Sequence, residues 1–365
     1  MFFAKRGHID KILLATVLAI GLLGVLFVYS ATWDKNASGP GLNTIVVKQA
    51  MAVMIGLVVL LFIANMDYRR MRDLGYFLYV VNLAALVFLL IFGGERYGAR
   101  RWINLGFFSL QPSEFVKLTM ILALGAFLSD RREKIGGFGN FFFALVLAMP
   151  AFALIFLQPD LGTALVLLPI LFSILFVCGE RKRYLAACVG LGVAALPVLW
   201  SLLKDYQKTR LMVFINPNLD PLGAGYTIIQ SKIAIGSGGW FGKGWLNGTQ
   251  SYLKFLPERH SDFIFSVVGE EWGFAGALVI IALYVLFISR GLRIAANTDD
   301  VFGKAVAVGV VTLLAFQVFV NISMTIGFMP VVGLPLPAIS YGGSSTLATF
   351  IGAGLLLSIG RKAAR

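Results

Sequence analysis

ILLATVLAIGLLGVLFVYSA, residues Ile12 to Ala31, carries no charge over twenty residues and only Thr16, Tyr29 and Ser30 as polar side chains. At 1.5 Å of rise per residue, about 20 apolar residues cross the roughly 30 Å hydrocarbon core of a bilayer. The run follows Lys5, Arg6 and Lys11, as the core of a signal peptide would, yet no Ala-x-Ala-like cleavage site ends it and more such runs follow. It reads as a retained first span. Working outward, similar runs recur near residues 44 to 65, 74 to 92, 113 to 129, 139 to 157, 160 to 178, 185 to 203, 263 to 289, 303 to 329 and 344 to 360. The reading is an all-α polytopic membrane protein of ten transmembrane helices, a single domain over 1 to 365. Composition agrees: 58% of the 365 residues are hydrophobic, 13% are charged and mean hydropathy is +0.85, against an apolar share of about 45 to 50% in soluble domains.

Basic residues set the orientation. Lys5/Arg6/Lys11, Arg69/Arg70/Arg72, Arg131/Arg132/Lys134, Arg181/Lys182/Arg183, Arg290/Arg293/Lys304 and Arg361/Lys362/Arg365 flank alternate span ends and hold 18 of the 31 lysines and arginines. Lys and Arg concentrate on the cytoplasmic side, so both termini are expected there. The net charge of +13 is then chiefly a topology signal and makes no case for nucleic acid. Cys178 and Cys188 fall at inner span ends, where a disulfide is not expected, and two Cys with two His cannot build a Cys/His metal site.

One connection stands apart. Lys204 to Asp262, between spans seven and eight, runs for 59 residues, far beyond an ordinary loop. It holds Tyr206, Phe214, Tyr226, Trp240, Trp245 and Phe255, which seek burial, so it is expected to fold back over the bundle with Tyr226 to Ile235 as a short amphipathic helix at the membrane surface.

Five clusters on the outward side could carry chemistry. The first pairs Gly98-Ala99-Arg100-Arg101-Trp102-Ile103 with Gln111-Pro112-Ser113-Glu114-Phe115-Val116-Lys117. Two arginines there oppose the inside bias, and Pro112 suits the first turn of a helix. Glu114 and Lys117, three apart, share a helix face. They either neutralise each other, with Trp102 as an interfacial anchor, or Lys117 and Arg101 bind an anion while Glu114 holds the lysine. The second, Gln158-Pro159-Asp160-Leu161-Gly162-Thr163, reads first as helix capping by Asp160 and second as a site. The third is the glycine-rich part of the long loop, in which Arg210, Lys232 and Lys243 could contact a phosphate, although no Walker spacing is present.

In the fourth cluster, Leu256-Pro257-Glu258-Arg259-His260-Ser261-Asp262-Phe263, Asp262 lies at the mouth of the eighth span. It either caps that helix or, desolvated, has its pKa raised toward the range of a general base, with Glu258 and His260 beside it. Glu270 and Glu271, two turns deeper, cannot both face lipid, so at least one should pair inside the bundle or hold a cation. The fifth, Pro330 to Ser345, reads as a rigid outer loop packed on the bundle, with Ser344 and Ser345 capping the last span. Several cations around one dominant carboxylate describe glycosyl transfer from a lipid-linked phosphosugar.

With those motifs in order, together with Gln230-Ser-Lys-Ile-Ala-Ile-Gly-Ser-Gly-Gly239 and Ser340-Tyr-Gly-Gly-Ser-Ser345, nearly the whole chain resembles the shape, elongation, division and sporulation (SEDS) family. The resemblance implies a ten-helix peptidoglycan glycosyltransferase that polymerises lipid II at the outer face of the bacterial cytoplasmic membrane during cell elongation. It implies work with the elongation machinery and a class B penicillin-binding protein, a transpeptidase. It also implies Asp262 as the base on the acceptor sugar hydroxyl, with Trp102, Glu114 and Lys117 in the same cavity. Ser261 stands where the family often has Thr. A divalent cation, Mg2+ or Mn2+, could assist the pyrophosphate, but the sequence fixes no ligands for it. The rivals are a flippase for the same lipid-linked precursor, which should place ionisable groups near mid-membrane within inverted repeats, and a non-catalytic scaffold.

Overall fold

The computed structural model describes residues 9–33, 44–93, 101–104, 106, 109–203, 205–221, 223–253 and 255–363. Asp10 starts α1 (Lys11–Thr32): one carboxylate oxygen accepts from the Leu13 amide at 3.0 Å and the other pairs with Arg290 at 2.6 Å. The chain continues through α2 (Thr44–Asn65) and α3 (Arg69–Phe92) to a two-stranded antiparallel ribbon, β1 (Ile103–Asn104) with β2 (Ser109–Leu110). Then come α4 (Pro112–Asp130), α5 (Phe138–Leu157) and α6 (Leu161–Val177). After the long connection lie α12, α13 and α14, at Ile264–Ala296, Val301–Ile326 and Gly343–Ala363.

Eight of these helices, α1 to α5 and α12 to α14, are long and apolar enough to cross a membrane. The sixth predicted span falls on α6, a shorter apolar helix. The seventh, predicted as continuous over 185 to 203, is instead broken into α7 (Lys182–Ala194) and α8 (Leu196–Leu202). Pro197 explains the break: it has no N–H for the ladder and its ring collides with the carbonyl one turn back.

The centre is α4, α13 and α14, whose most apolar windows are 78%, 72% and 78% buried, while α3 and α12 at 28% form the rim. The basic turns gather at one end. Arg290, at the end of α12, pairs with Asp10; Arg72 pairs with Asp130 at the end of α4; Lys362 of α14 pairs with Asp67 between α2 and α3. Tyr68 stacks on Phe302 at the start of α13, with ring centroids 6.2 Å apart. Glu180, after α6, accepts from Gly136 N and Asn140 Nδ2 before and within α5. Lys5, Arg6 and Arg365 lie outside the described residues.

The long connection is folded. It contains α9 (Asp205–Ile215), α10 (Ala224–Gly238) and the single turn α11 (Thr249–Tyr252). The predicted helix at Tyr226 to Ile235 is there, longer at both ends, but its buried stripe of Gly225, Ile228, Ser231, Ala234 and Gly238 faces protein. Ser231 Oγ lies 2.7 Å from Ser266 Oγ of α12 and donates at 2.6 Å to the Thr325 carbonyl of α13. Small residues allow this close approach, and a buried hydroxyl needs partners, so α10 packs one face into the bundle.

The glycines after α10 solve a backbone problem. Inside α12, Gly273 (φ 64, ψ −158) breaks the helix, a conformation open only to a residue without Cβ. The break orphans two carbonyls and two amides, each costing several kcal/mol in hydrocarbon. Residues 239 to 244 satisfy all four. Lys243 N and Gly244 N donate to the carbonyls of Glu270 and Glu271 at 3.0 Å, and Phe274 N and Ala275 N donate to Gly239 O and Trp240 O at 2.9 and 3.0 Å.

Candidate active site at the end opposite the basic turns

Asp262 sits in the turn that leads into α12, at the end of the bundle away from the arginine-rich turns. It does not cap the helix: the N-cap position is Phe263 and no side chain makes a capping bond there. Glu258 builds the turn, its carbonyl accepting from Ser261 N at 3.1 Å and Phe263 N at 3.3 Å, and its Oε2 accepting from Ser261 Oγ at 3.0 Å. The backbone of the next three residues is held from outside. His260 O accepts from Tyr341 N at 2.8 Å, Ser261 O from Ser340 Oγ at 2.6 Å, and Asp262 O from Asn321 Nδ2 at 2.9 Å.

The carboxylate is left alone. Asp262 is half-buried, and its side chain accepts no hydrogen bond from the described residues. Burial is the main force pushing its pKa up, to about 6; the charge on Glu258 adds to it, Arg210 opposes, Asp160 raises it again and Arg101 lowers it. His260 is kept below its ordinary value by burial, so at neutral pH it supplies no compensating charge. Gly333 (φ 71) faces the carboxylate, where a Cβ would come within 3.3 Å of Oδ2.

Arg101, just before β1, is half-buried and donates to the carbonyls of Gln158, at 3.2 Å, and Pro159; its guanidinium is 3.7 Å from Asp160 Oδ2. Asp160 caps α6 as predicted, accepting from Thr163 N at 3.2 Å and Thr163 Oγ1 at 3.0 Å. Trp102 is 38% exposed. Arg210 of α9 reaches across to the Val331 carbonyl at 3.3 Å. Arg101, Asp160, Arg210 and Glu258 are therefore the charged groups that act on Asp262, while Arg100 lies outside the described residues.

The remaining sequence candidates are spent on the scaffold. Lys117 and Glu114 pair at 2.8 Å with the lysine fully buried, so Lys117 presents no surface to a ligand in this conformation. Lys243 pairs with Glu270 at 2.8 Å and with Thr249 Oγ1 at 2.8 Å, beneath the glycine strap. Lys232 is exposed and lies across Gly327, at the C-terminal end of α13, where a cation suits the helix dipole. Both buried glutamates are paired internally, Glu271 through Ser30 Oγ at 2.5 and 2.6 Å. Among the described residues no group of three or more His, Cys, Asp or Glu is placed to hold a metal ion.

Sequence reading missed the residues that hold the aspartate. The loop over Pro330 to Ser345 packs on the bundle and supports the site: Ser340 Oγ also accepts from Leu336 N at 2.8 Å, and Asn321 also donates to Leu334 O at 2.7 Å. Ser344 does not cap its own helix; its hydroxyl accepts from Gln111 N at 2.9 Å and fastens the start of α4 to the start of α14. The available signal was the amide of Asn321 inside a membrane span, where a polar group is rarely idle, but Gln317 on the same helix gives the same signal.

A bundle of apolar helices with charge concentrated at its two ends and Arg-rich turns at one of them defines a multi-pass membrane protein. Within that class the chain belongs to the Cell cycle protein family of FtsW, RodA and SpoVE, whose sequence model matches residues 10–365. It is 44% identical to peptidoglycan glycosyltransferase MrdB of Escherichia coli K12, over 98% of this chain and 95% of that protein. It is 36% identical to peptidoglycan glycosyltransferase RodA of Treponema pallidum, over 96% and 97% respectively. Among solved structures, a chain of a peptidoglycan synthase complex that coordinates polymerization and crosslinking superposes with a TM-score of 0.81 at 35% identity, covering 97% of this chain and 98% of that one. The rod shape determining protein RodA of Thermus thermophilus superposes with a TM-score of 0.73 at 34% identity, covering 98% of both chains.

Proposed function

We propose that this chain is a peptidoglycan glycosyltransferase of the bacterial inner membrane, polymerising lipid II into glycan strands on the outer face during cell elongation. In this reading α6 and the broken pair α7 and α8 complete ten spans. The basic turns face the cytoplasm and Asp262 faces outward, because Lys and Arg favour the inner side. The names carried by the relatives support the activity. The observation that carries the residue assignment is a half-buried, unbonded carboxylate with its pKa pushed up to about 6, a value near the working pH where a general base is most effective.

The Asp262 carboxylate takes the proton of the acceptor sugar hydroxyl as that oxygen bonds to the anomeric carbon of the donor. The bond from that carbon to the pyrophosphate oxygen breaks, and the leaving lipid pyrophosphate carries off the electron pair. Arg101 and Arg210, the cations nearest the carboxylate in electrostatic effect, stand where a developing phosphate charge needs partners. Trp102 offers an exposed ring face beside them. Lys117 and Glu114, which the family resemblance puts in the same cavity, are closed on each other, so Lys117 reaches a phosphate only if the pair opens. His260, two residues before Asp262, belongs to the same turn, while Lys232 and Lys243 brace the scaffold behind it. The partner is a class B penicillin-binding protein, by extension from the synthase complex that this chain resembles.

The test is purified protein with lipid II, with and without the partner. Asp262→Ala should abolish strand formation while folding and partner binding persist, and strands made by that variant would refute the base assignment.

A further inference from the structure

We propose that Asn321 of α13 is the positioning residue of the active site, fixing the main chain of Asp262 so that a carboxylate with no hydrogen bonds of its own is still aimed. This rests on Asp262 being the base. A catalytic carboxylate is usually oriented by donors on its oxygens; this one has none among the described residues. Its direction is therefore set through its backbone and side-chain rotamer alone, and the backbone is pinned at three successive carbonyls, those of His260, Ser261 and Asp262.

Of the three bonds, the one at Asp262 itself comes from Asn321, and it is the only one supplied by a membrane helix. Asn321 is fully buried and its amide spends both hydrogens, on Asp262 O at 2.9 Å and on Leu334 O at 2.7 Å. Because both partners are carbonyls, the amide can sit only with nitrogen toward them. One side chain thus ties the aspartate to the segment that contains Gly333, the residue facing its carboxylate. Among the described residues the buried Asn321 Oδ1 has no partner, so the amide is engaged through its two donors alone. Displacing a reacting group by about 1 Å can cost roughly 100-fold in rate, so loss of this tie should fall on turnover.

The experiment compares Asn321→Ala, Asn321→Gln and Asp262→Ala with the parent, in lipid II polymerisation with the partner present. Phe319→Ala, on the lipid-exposed face of the same helix, is the control. Rates are expressed per folded, partner-bound molecule. Asn321→Ala should lower kcat by roughly 10- to 100-fold with KM within about twofold. It should also move the acid limb of the kcat profile from near pH 6 toward the ordinary carboxylate range, because the freed segment lets water reach the carboxylate. Asn321→Gln, which keeps the amide, should recover part of the rate. Wild-type kcat and an unmoved acid limb in Asn321→Ala beside an inactive Asp262→Ala would overturn the positioning role alone. A loss that appears only in folded fraction or in KM overturns it too. An active Asp262→Ala removes the base assignment, and the positioning role with it. If Asn321→Ala does not fold, Asn321→Ser, which keeps one donor, carries the same measurement.

Discussion

Replacing Asp262 by Asn should make the protein more stable as it makes it inactive, and the gain should depend on pH in a set direction. The folded protein raises the Asp262 pKa from 3.8 to about 6, so folding disfavours the ionised form. For a carboxylate shifted upward, the contribution is a cost: it is absent below the unfolded value, grows as pH rises through the interval between 4 and 6, and is complete above it. About two pH units at 1.36 kcal/mol each set an upper bound of roughly 3 kcal/mol. Partial exposure of the side chain screens this to about 1 to 2 kcal/mol. At roughly 2 to 4 °C per kcal/mol for a chain of this order of size, Asp262→Asn should melt a few degrees above the parent at pH 8. At pH 4.5, between the two pKa values, the gap should shrink to roughly a third of its size at pH 8. Thermal unfolding in one detergent at both pH values reads this directly. Equal melting at pH 8, or an advantage that grows toward acid, refutes the claim that an uncompensated charge is stored at this position.

Two further outcomes follow from the same geometry. In the pH profile of polymerisation, Glu258→Gln removes a charge that raises the Asp262 pKa and Arg210→Ala removes one that lowers it, so the acid limbs should move in opposite directions, down and up; parallel shifts sink the electrostatic account. Lys117→Met leaves Glu114 buried without its partner and should cost about 3 to 5 kcal/mol in stability, most of it restored by adding Glu114→Gln. Unfolding curves of the single and double variants decide this, and a single variant as stable as the parent removes the pair's structural role.

How far the sequence reached depended on which interactions are local. The spans were legible because each is a contiguous apolar run, and so were the Asp160 cap and the Glu114–Lys117 pair, whose partners are three residues away. The break at Pro197 is also local, since a proline inside an apolar run has no N–H for the helix ladder. The roles of Lys243 and the glycines were not legible, because they answer a helix break at Gly273 thirty residues further on, and nothing in a glycine-rich stretch tells a phosphate cradle from a strap over orphaned carbonyls. The same holds for Asn321 and Ser340, which meet Asp262 and Ser261 only across 59 and 79 residues.

The placement of charge also bears on the rival reading of a lipid transporter. Such a protein keeps ionisable groups near the bilayer midplane, where broken helices open a path for substrate and coupling ions. Here α12 is broken, yet about 20 residues at 1.5 Å each from Arg290 reach Glu270, so on the proposed orientation the break at Gly273 would lie near one boundary of the hydrocarbon and not at its middle. Its freed backbone groups are closed by the strap from residues 239 to 244 and its glutamates are paired. A break sealed in this way offers no polar path inward. The strap thus leaves the first two turns of α12 and the turn that holds Asp262 joined to the protein by backbone hydrogen bonds and not by an open polar channel.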